Sequence, residues 1–165
     1  MVAKTEVYLG NPNLKKAGTE IQFTKKQIAE WIKCKQDPLY FACNYMQIIN
    51  LDEGLVPFKM YDFQKSILMD FHENRFNIAK LPRQTGKSTT VVAYLLHYAI
   101  FNDSVNIGIL ANKASTAREL LGRLQLAYEN LPKWMQHGIL VWNKGNVELE
   151  NGSKILAAST SASAV

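Results

Sequence analysis

Eight consecutive residues, Pro82-Arg83-Gln84-Thr85-Gly86-Lys87-Ser88-Thr89, combine the groups a polyphosphate needs. Gly86 lets the backbone approach an anion with no Cβ in the way. Successive N–H groups at a helix start point at that anion, and the helix dipole favours negative charge there. Lys87 would reach the β- and γ-phosphates of ATP, and the Ser88 hydroxyl would hold Mg²⁺. The full pattern G-x-x-x-x-G-K-[ST] asks for a glycine five residues before Gly86, where this chain has Leu81. Gly86-Lys87-Ser88 is a short triplet, so its neighbours decide whether it is a phosphate loop or an ordinary turn with a solvated lysine.

Those neighbours are the elements that must position it. Phe76 to Leu81 alternates apolar and polar residues and predicts a strand entering the loop. Ser88 to Phe101 carries no formal charge and predicts a buried helix leaving it, over about 87–101. Upstream, Tyr61-Asp62-Phe63-Gln64 opens an amphipathic helix over about 61–73. In ATPases of the helicase and packaging-motor type an aromatic followed by glutamine reads adenine. Phe63 would stack on the base, and the Gln64 amide would offer it a donor and an acceptor.

The rest of the chain reads as follows. Residues 1–22 are polar and predicted irregular, followed by helices at about 24–35 and 38–48. The first has Ile28, Trp31 and Ile32 inward; the second has Asp37 as cap and Pro38 in its first turn. A strand at about 105–111 is expected parallel to 76–81. A helix at 115–130 follows, then three short strands at about 139–143, 146–150 and 154–158, turning at Lys144-Gly145 and Asn151-Gly152. Ser159 to Val165 is small and polar.

With arginine in the loop and the first glycine absent, the segment resembles the variant phosphate loop of large terminase subunits of tailed bacteriophages, in particular the T4-like ones. Further segments fit in order: Asp37-Pro38-Leu39-Tyr40-Phe41, Asn50 to Phe58, the Phe63-Gln64 pair, Asn106 to Ala111, Trp142-Asn143-Lys144-Gly145 and Glu150-Asn151-Gly152-Ser153. The resemblance implies an α/β P-loop NTPase of the helicase and terminase kind over 23–165. This has a parallel sheet buried on both faces, flanking helices and a C-terminal β-hairpin region. It implies that Gly86, Lys87 and Ser88 contact phosphate and Mg²⁺, that Arg83 acts on the γ-phosphate, and that Phe63 and Gln64 contact adenine. Gln84 and Thr85 supply loop backbone, with Pro82 and Thr89 at the ends of the nucleotide-binding stretch. It implies as partners double-stranded DNA, a portal protein and a small terminase subunit, in the cytoplasm of an infected bacterium.

The family also carries an apolar strand ending in Asp-Glu, a coupling motif and a nuclease domain, and none has a counterpart before Val165. Met46 to Glu53 imitates such a strand but precedes the loop and reads as a helix end and turn, so Asp52 and Glu53 are given no catalytic role. Asp103, Glu119, Glu129, Glu148 and Glu150 end no apolar strand. The expectation is a chain with an incomplete core, weak nucleotide binding and poor hydrolysis, marginal alone unless a second polypeptide completes the sheet. A hydrolysis-deficient nucleotide-binding or interaction module, and a helicase-type ATPase fragment, remain the alternatives.

Composition agrees with a globular domain: 47% apolar, 20% charged, net charge +5. No apolar run approaches the roughly 18 residues that cross a membrane. The N-terminus lacks a signal-peptide core. Cys34 and Cys43 lack metal spacing and read as reduced, mostly buried thiols. Lysines 15, 16, 25, 26, 33 and 35 cluster early and read as a solvated face before a DNA-binding one.

Overall fold

Leu9 and Gly10, both at positive φ, turn the chain between β1 (Val7–Tyr8) and β2 (Asn11–Lys15), an antiparallel pair in a segment expected to be irregular. Local polarity does not decide here. Leu14 is buried, and the Gln136 amide accepts from Lys15 N and donates to Asn13 O, so tertiary contacts hold the hairpin. The structure is a computed structural model that describes residues 6–50 and 52–160. The last five residues of the small polar stretch lie outside it.

Helix α1 (Lys25–Gln36) starts with a capping box between Thr24 and Gln27. Its buried residue is Cys34, whereas Ile28 and Ile32 are about half exposed, contrary to the expected inward face. Asp37 then caps α2 (Pro38–Tyr45), accepting from the N–H groups of Leu39 and Tyr40. The helix ends three residues before its expected limit. Ile48 and Ile49 belong instead to β3 (Gln47–Asn50), which pairs antiparallel with β4 (Gly54–Pro57). Two adjacent β-branched residues suit a pleated strand better than a helix, and Gly54 at φ +75° makes the turn. The stretch read as helix end and turn is therefore a hairpin, with Asp52 and Glu53 exposed at its tip.

Helices α3 (Asp62–Glu73) and α4 (Lys87–Phe101) follow, the latter with the expected bounds. The expected strand at 76–81 does not form. Among the described residues this segment makes no backbone–backbone hydrogen bond, and Phe76 and Ile78 are 84% and 100% exposed. Alternation makes a segment suitable for a ladder, but only a neighbour supplies one.

Strand β5 (Asn106–Ala111), helix α5 (Ala114–Glu129), a 3₁₀ turn (Lys133–Met135), β6 (Ile139–Trp142), β7 (Asn146–Leu149) and β8 (Lys154–Ser159) complete the chain. The sheet order is β5-β8-β7-β6. Strands β5 and β8 are parallel, and the other pairs are antiparallel. This is an α/β fold with a mixed sheet, not the expected parallel one, and the parallel partner of β5 is β8 rather than 76–81. Nor is the sheet covered on both faces. Ile107 and Ile109 point into the core, while Leu110, Leu140 and Leu156 are more than half exposed. Helix α5 packs on β5 and β8, and α4 lies between α5 and the pair α2 and α3. Leu96, Ile100, Leu121, Leu124, Leu149 and Ile155 are fully buried there, each removing about 1.5–3 kcal/mol worth of apolar surface from water. Cys34 is buried and desolvation pushes its thiol up to about 12; Cys43 is exposed, against expectation. No helix among the described residues is long and apolar enough to cross a membrane.

Candidate functional site

Two backbone inversions build the Pro82–Thr89 loop. Gln84 has φ +64°, and Gly86, at φ +73°, is the N-cap of α4. Gly86 has no side chain with which to cap, so nothing on it competes for the first N–H groups of the helix, which lack intrahelical acceptors. Lys87 then places a cation at a helix N-terminus, where the dipole disfavours it by about 0.3–1 kcal/mol. A bound anion would reverse the sign of that interaction. Here the Lys87 ammonium folds back over the loop and donates to the carbonyls of Leu81 and Pro82, at 3.3 and 3.2 Å. The Thr85 hydroxyl also donates to Pro82 O, at 3.1 Å, and the Thr90 hydroxyl to Gly86 O, at 3.3 Å. The loop is thus closed by its own polar groups.

Gln64 joins the loop to α3. It is 3% exposed. Its Oε1 accepts from the Tyr61 N–H at 3.0 Å, and its Nε2 donates to Thr85 O at 3.3 Å. A Cβ on Gly86 would collide with that Nε2. Glycine suits this position twice, by its φ and because a Cβ would displace the Gln64 amide from its place. Phe63 stacks on Tyr61, with ring centroids 5.8 Å apart and planes within 8°, and both rings face solvent.

A cleft of about 660 Å³ opens between these parts and the β3–β4 hairpin. Of the residues singled out in the sequence, Phe63, Gln64, Gln84, Thr85, Gly86 and Thr89 line it together. Pro82, Arg83, Lys87 and Ser88 do not. Arg83 is exposed, and neither it nor Lys87 belongs to an ion pair among the described residues. The other wall was not anticipated: Ile48, Asn50, Glu53, Val56, Pro57 and Phe58, with Lys59 and Tyr61 at its edge. Its sequence signal was Asn50 to Gly54, a turn between the apolar pairs Ile48-Ile49 and Leu55-Val56, which the largely apolar stretch from Leu39 onward disguised as helix.

Four of the carboxylates weighed for catalysis are engaged elsewhere. Glu119 pairs with Arg123 at 2.6 Å, Glu148 with Lys154 at 3.2 Å, and Glu129 accepts from Asn11. Glu150 accepts from the N–H groups of Gly18 and Gly138, and Asp103 is exposed on the turn after α4. Among the described residues no three His, Cys, Asp or Glu side chains gather to hold a metal ion. Ser88 is the first hydroxyl after Lys87 at the helix start.

The family model for the T4-like-virus type of terminase large subunit, N-terminal part, matches residues 78–164. That is more than half of the chain, from the entry to the loop through β8, and the chain belongs to this family. The family points to a role in phage DNA packaging. The matched range begins after the hairpin and α3, so it bears on the loop and not on the opposite wall of the cleft.

Proposed function

We propose that this chain is the ATP-binding portion of a terminase large subunit, part of a P-loop ATPase that drives DNA into a procapsid. The observation that carries the reading is the Gly86-capped start of α4, with a cation at its first position, opening onto a 660 Å³ cleft. The free N–H groups at the helix start would hold the phosphates, and Lys87 would exchange two neutral carbonyl acceptors for an anionic one, a contact between opposite charges. Bound Mg²⁺ would supply charge neutralisation of the phosphates, with the Ser88 hydroxyl as its ligand. Arg83, free on the loop, is the residue for the γ-phosphate. Phe63 and Tyr61 give the base an aromatic platform, and Gln64 keeps the loop at a fixed distance from it.

Phosphoryl transfer depends on positioning and charge stabilisation, and the described loop brings no carboxylate to activate water. Slow turnover by this chain is the expectation. Double-stranded DNA, a portal protein and a small terminase subunit are the partners this reading implies, in the cytoplasm of the infected host. A second reading, an interaction module with a purely structural loop, is favoured by the Lys87 contacts to Leu81 O and Pro82 O.

Titration with ATP and Mg²⁺ separates the two readings. Binding that Lys87→Ala weakens about tenfold or more supports nucleotide capture, the usual loss for a contact to a charged group. Absence of binding by the wild-type chain rejects it. Rapid turnover abolished by Lys87→Ala would instead show that a carboxylate acts where none is assigned.

A further inference from the structure

We propose that Glu53, where the β3–β4 hairpin lines the cleft, is the residue that accepts hydrogen bonds from the ribose hydroxyls of the nucleotide. The inference rests on the nucleotide reading above and adds to it the part of the nucleotide that neither the loop nor the aromatic pair addresses.

Glu53 is the one carboxylate among the residues that line the cleft. It has no ion-pair partner among the described residues, so its oxygens are available. Its backbone is held: Asn50 Oδ1 accepts from the N–H groups of Asp52 and Glu53, at 2.8 and 3.4 Å, and Gly54 at φ +75° turns the chain directly after it. Below the tip the hairpin is in regular register, Ile48 opposite Val56 and Gln47 opposite Pro57. Phe58 N donates to Met46 O, which ties the hairpin base to the end of α2. The Asn50 side chain thus holds the backbone N–H groups of Asp52 and Glu53 above a paired hairpin.

Charge sorts the nucleotide within the cleft. A carboxylate beside a triphosphate is repulsive, whereas beside a vicinal diol it accepts two O–H donors. Dinucleotide-binding sites use an acidic residue on the ribose hydroxyl in this way. The N–H-rich side is the Gly86 helix start, the stacking side is Tyr61 and Phe63, and the hairpin side carries the carboxylate of Glu53, with Lys59 as the cation that lines the cleft. An anion at the loop and a base on the rings leave the sugar as the group that meets the hairpin. Asp52, the neighbouring carboxylate on the same tip, is not among the residues lining the cleft.

Isothermal titration of the full chain with ATP, 2′-deoxyATP and 3′-deoxyATP tests this, each with Mg²⁺, for wild type, Glu53→Gln and Asp52→Asn. The expected result is that wild type binds ATP about tenfold more tightly than either deoxynucleotide, the low end for hydrogen bonds to a charged group. Glu53→Gln should lose most of that preference, and Asp52→Asn should keep it. Equal wild-type affinity for all three overturns the ribose assignment and leaves the nucleotide reading standing. No binding of any of them overturns both. Loss of ATP and deoxynucleotide affinity in equal proportion in Glu53→Gln, or loss of turnover with the preference intact, assigns Glu53 another role and overturns the proposal. The wild-type comparison stands even if a variant fails to fold.

Discussion

Gly86 and Gln64 occupy one another's space, and this makes their substitutions interdependent. Gly86→Ala places a Cβ against the Gln64 amide and holds a non-glycine residue at φ +73°; the left-handed conformation alone costs about 1–2 kcal/mol. Gln64→Ala leaves the Tyr61 N–H and the Thr85 carbonyl without their partner, at about 1–3 kcal/mol for buried groups. In the double variant the collision is gone. The combined loss, read from urea denaturation, should fall short of the sum by about 0.5 kcal/mol or more. Strict additivity would mean that the amide already moves aside at no cost. The same pair bears on legibility. The Phe63-Gln64 dipeptide is visible in the sequence as a base-reading signal, and the sequence also places Gly86 in the loop. That the glutamine bonds to the loop follows only when α3 and α4 are packed side by side.

At the scale of elements, the segment between α3 and the loop is the most exposed apolar stretch described. Without ladder partners its amides should exchange with solvent near the unprotected rate from Arg75 to Lys80, while those of β8, bonded on both sides, are among the slowest. Phe76→Ser and Ile78→Ser should change unfolding free energy by no more than about 0.5 kcal/mol, as for surface positions, and reduce self-association. Strong protection of these amides in the isolated chain would disprove the unpaired conformation. The two long helices after the loop start were readable from local apolar pattern, without side-chain caps: the bounds of α4 match, and those of α5 shift by one residue. The β3–β4 hairpin and the N-terminal hairpin were not, for different reasons. Ile48 and Ile49 continue an apolar run begun in α2, so periodicity cannot mark where helix gives way to strand. The polar β2 is held by contacts from Gln136, more than a hundred residues away, which no local window contains.

For the molecule as a whole, two histidines contribute to its response to acid. Burial lowers His97 from 6.5 to about 4; its Nε2 lies 2.8 Å from Cys34 O, and its Nδ1 has no hydrogen-bond partner among the described residues. His72 nearby opposes the charged form and Asp37 favours it. Burial also lowers His137, whose Nε2 lies 2.7 Å from Ile100 O. Both are depressed in the folded state, so the unfolded chain takes up these protons first. Stability is then complete above about pH 6.5 and is lost as pH falls toward 4, by an amount on the order of 3 kcal/mol from His97. Denaturation midpoints measured between pH 7 and 4 should fall accordingly. His97→Gln should shrink the slope without abolishing it, since His137 shares the response. A midpoint flat over that interval would exclude both histidines as its source.

The parallel pairing of β5 with β8 also orders events in time. Strands β6, β7 and β8 meet through short turns, Asn143 bonding to Gly145 N and Asn146 N in the first and Gly152 at φ +83° in the second. Strand β5 meets β8 only after α5 and the whole meander have been made, and the entropy of closing that loop is met before its contacts reward it. The expected order is therefore the meander as an early template and β5 as a late arrival. Val147→Ala should slow refolding, while Ile109→Ala should chiefly hasten unfolding. If Ile109→Ala slowed refolding as much, β5 would instead be part of the nucleus.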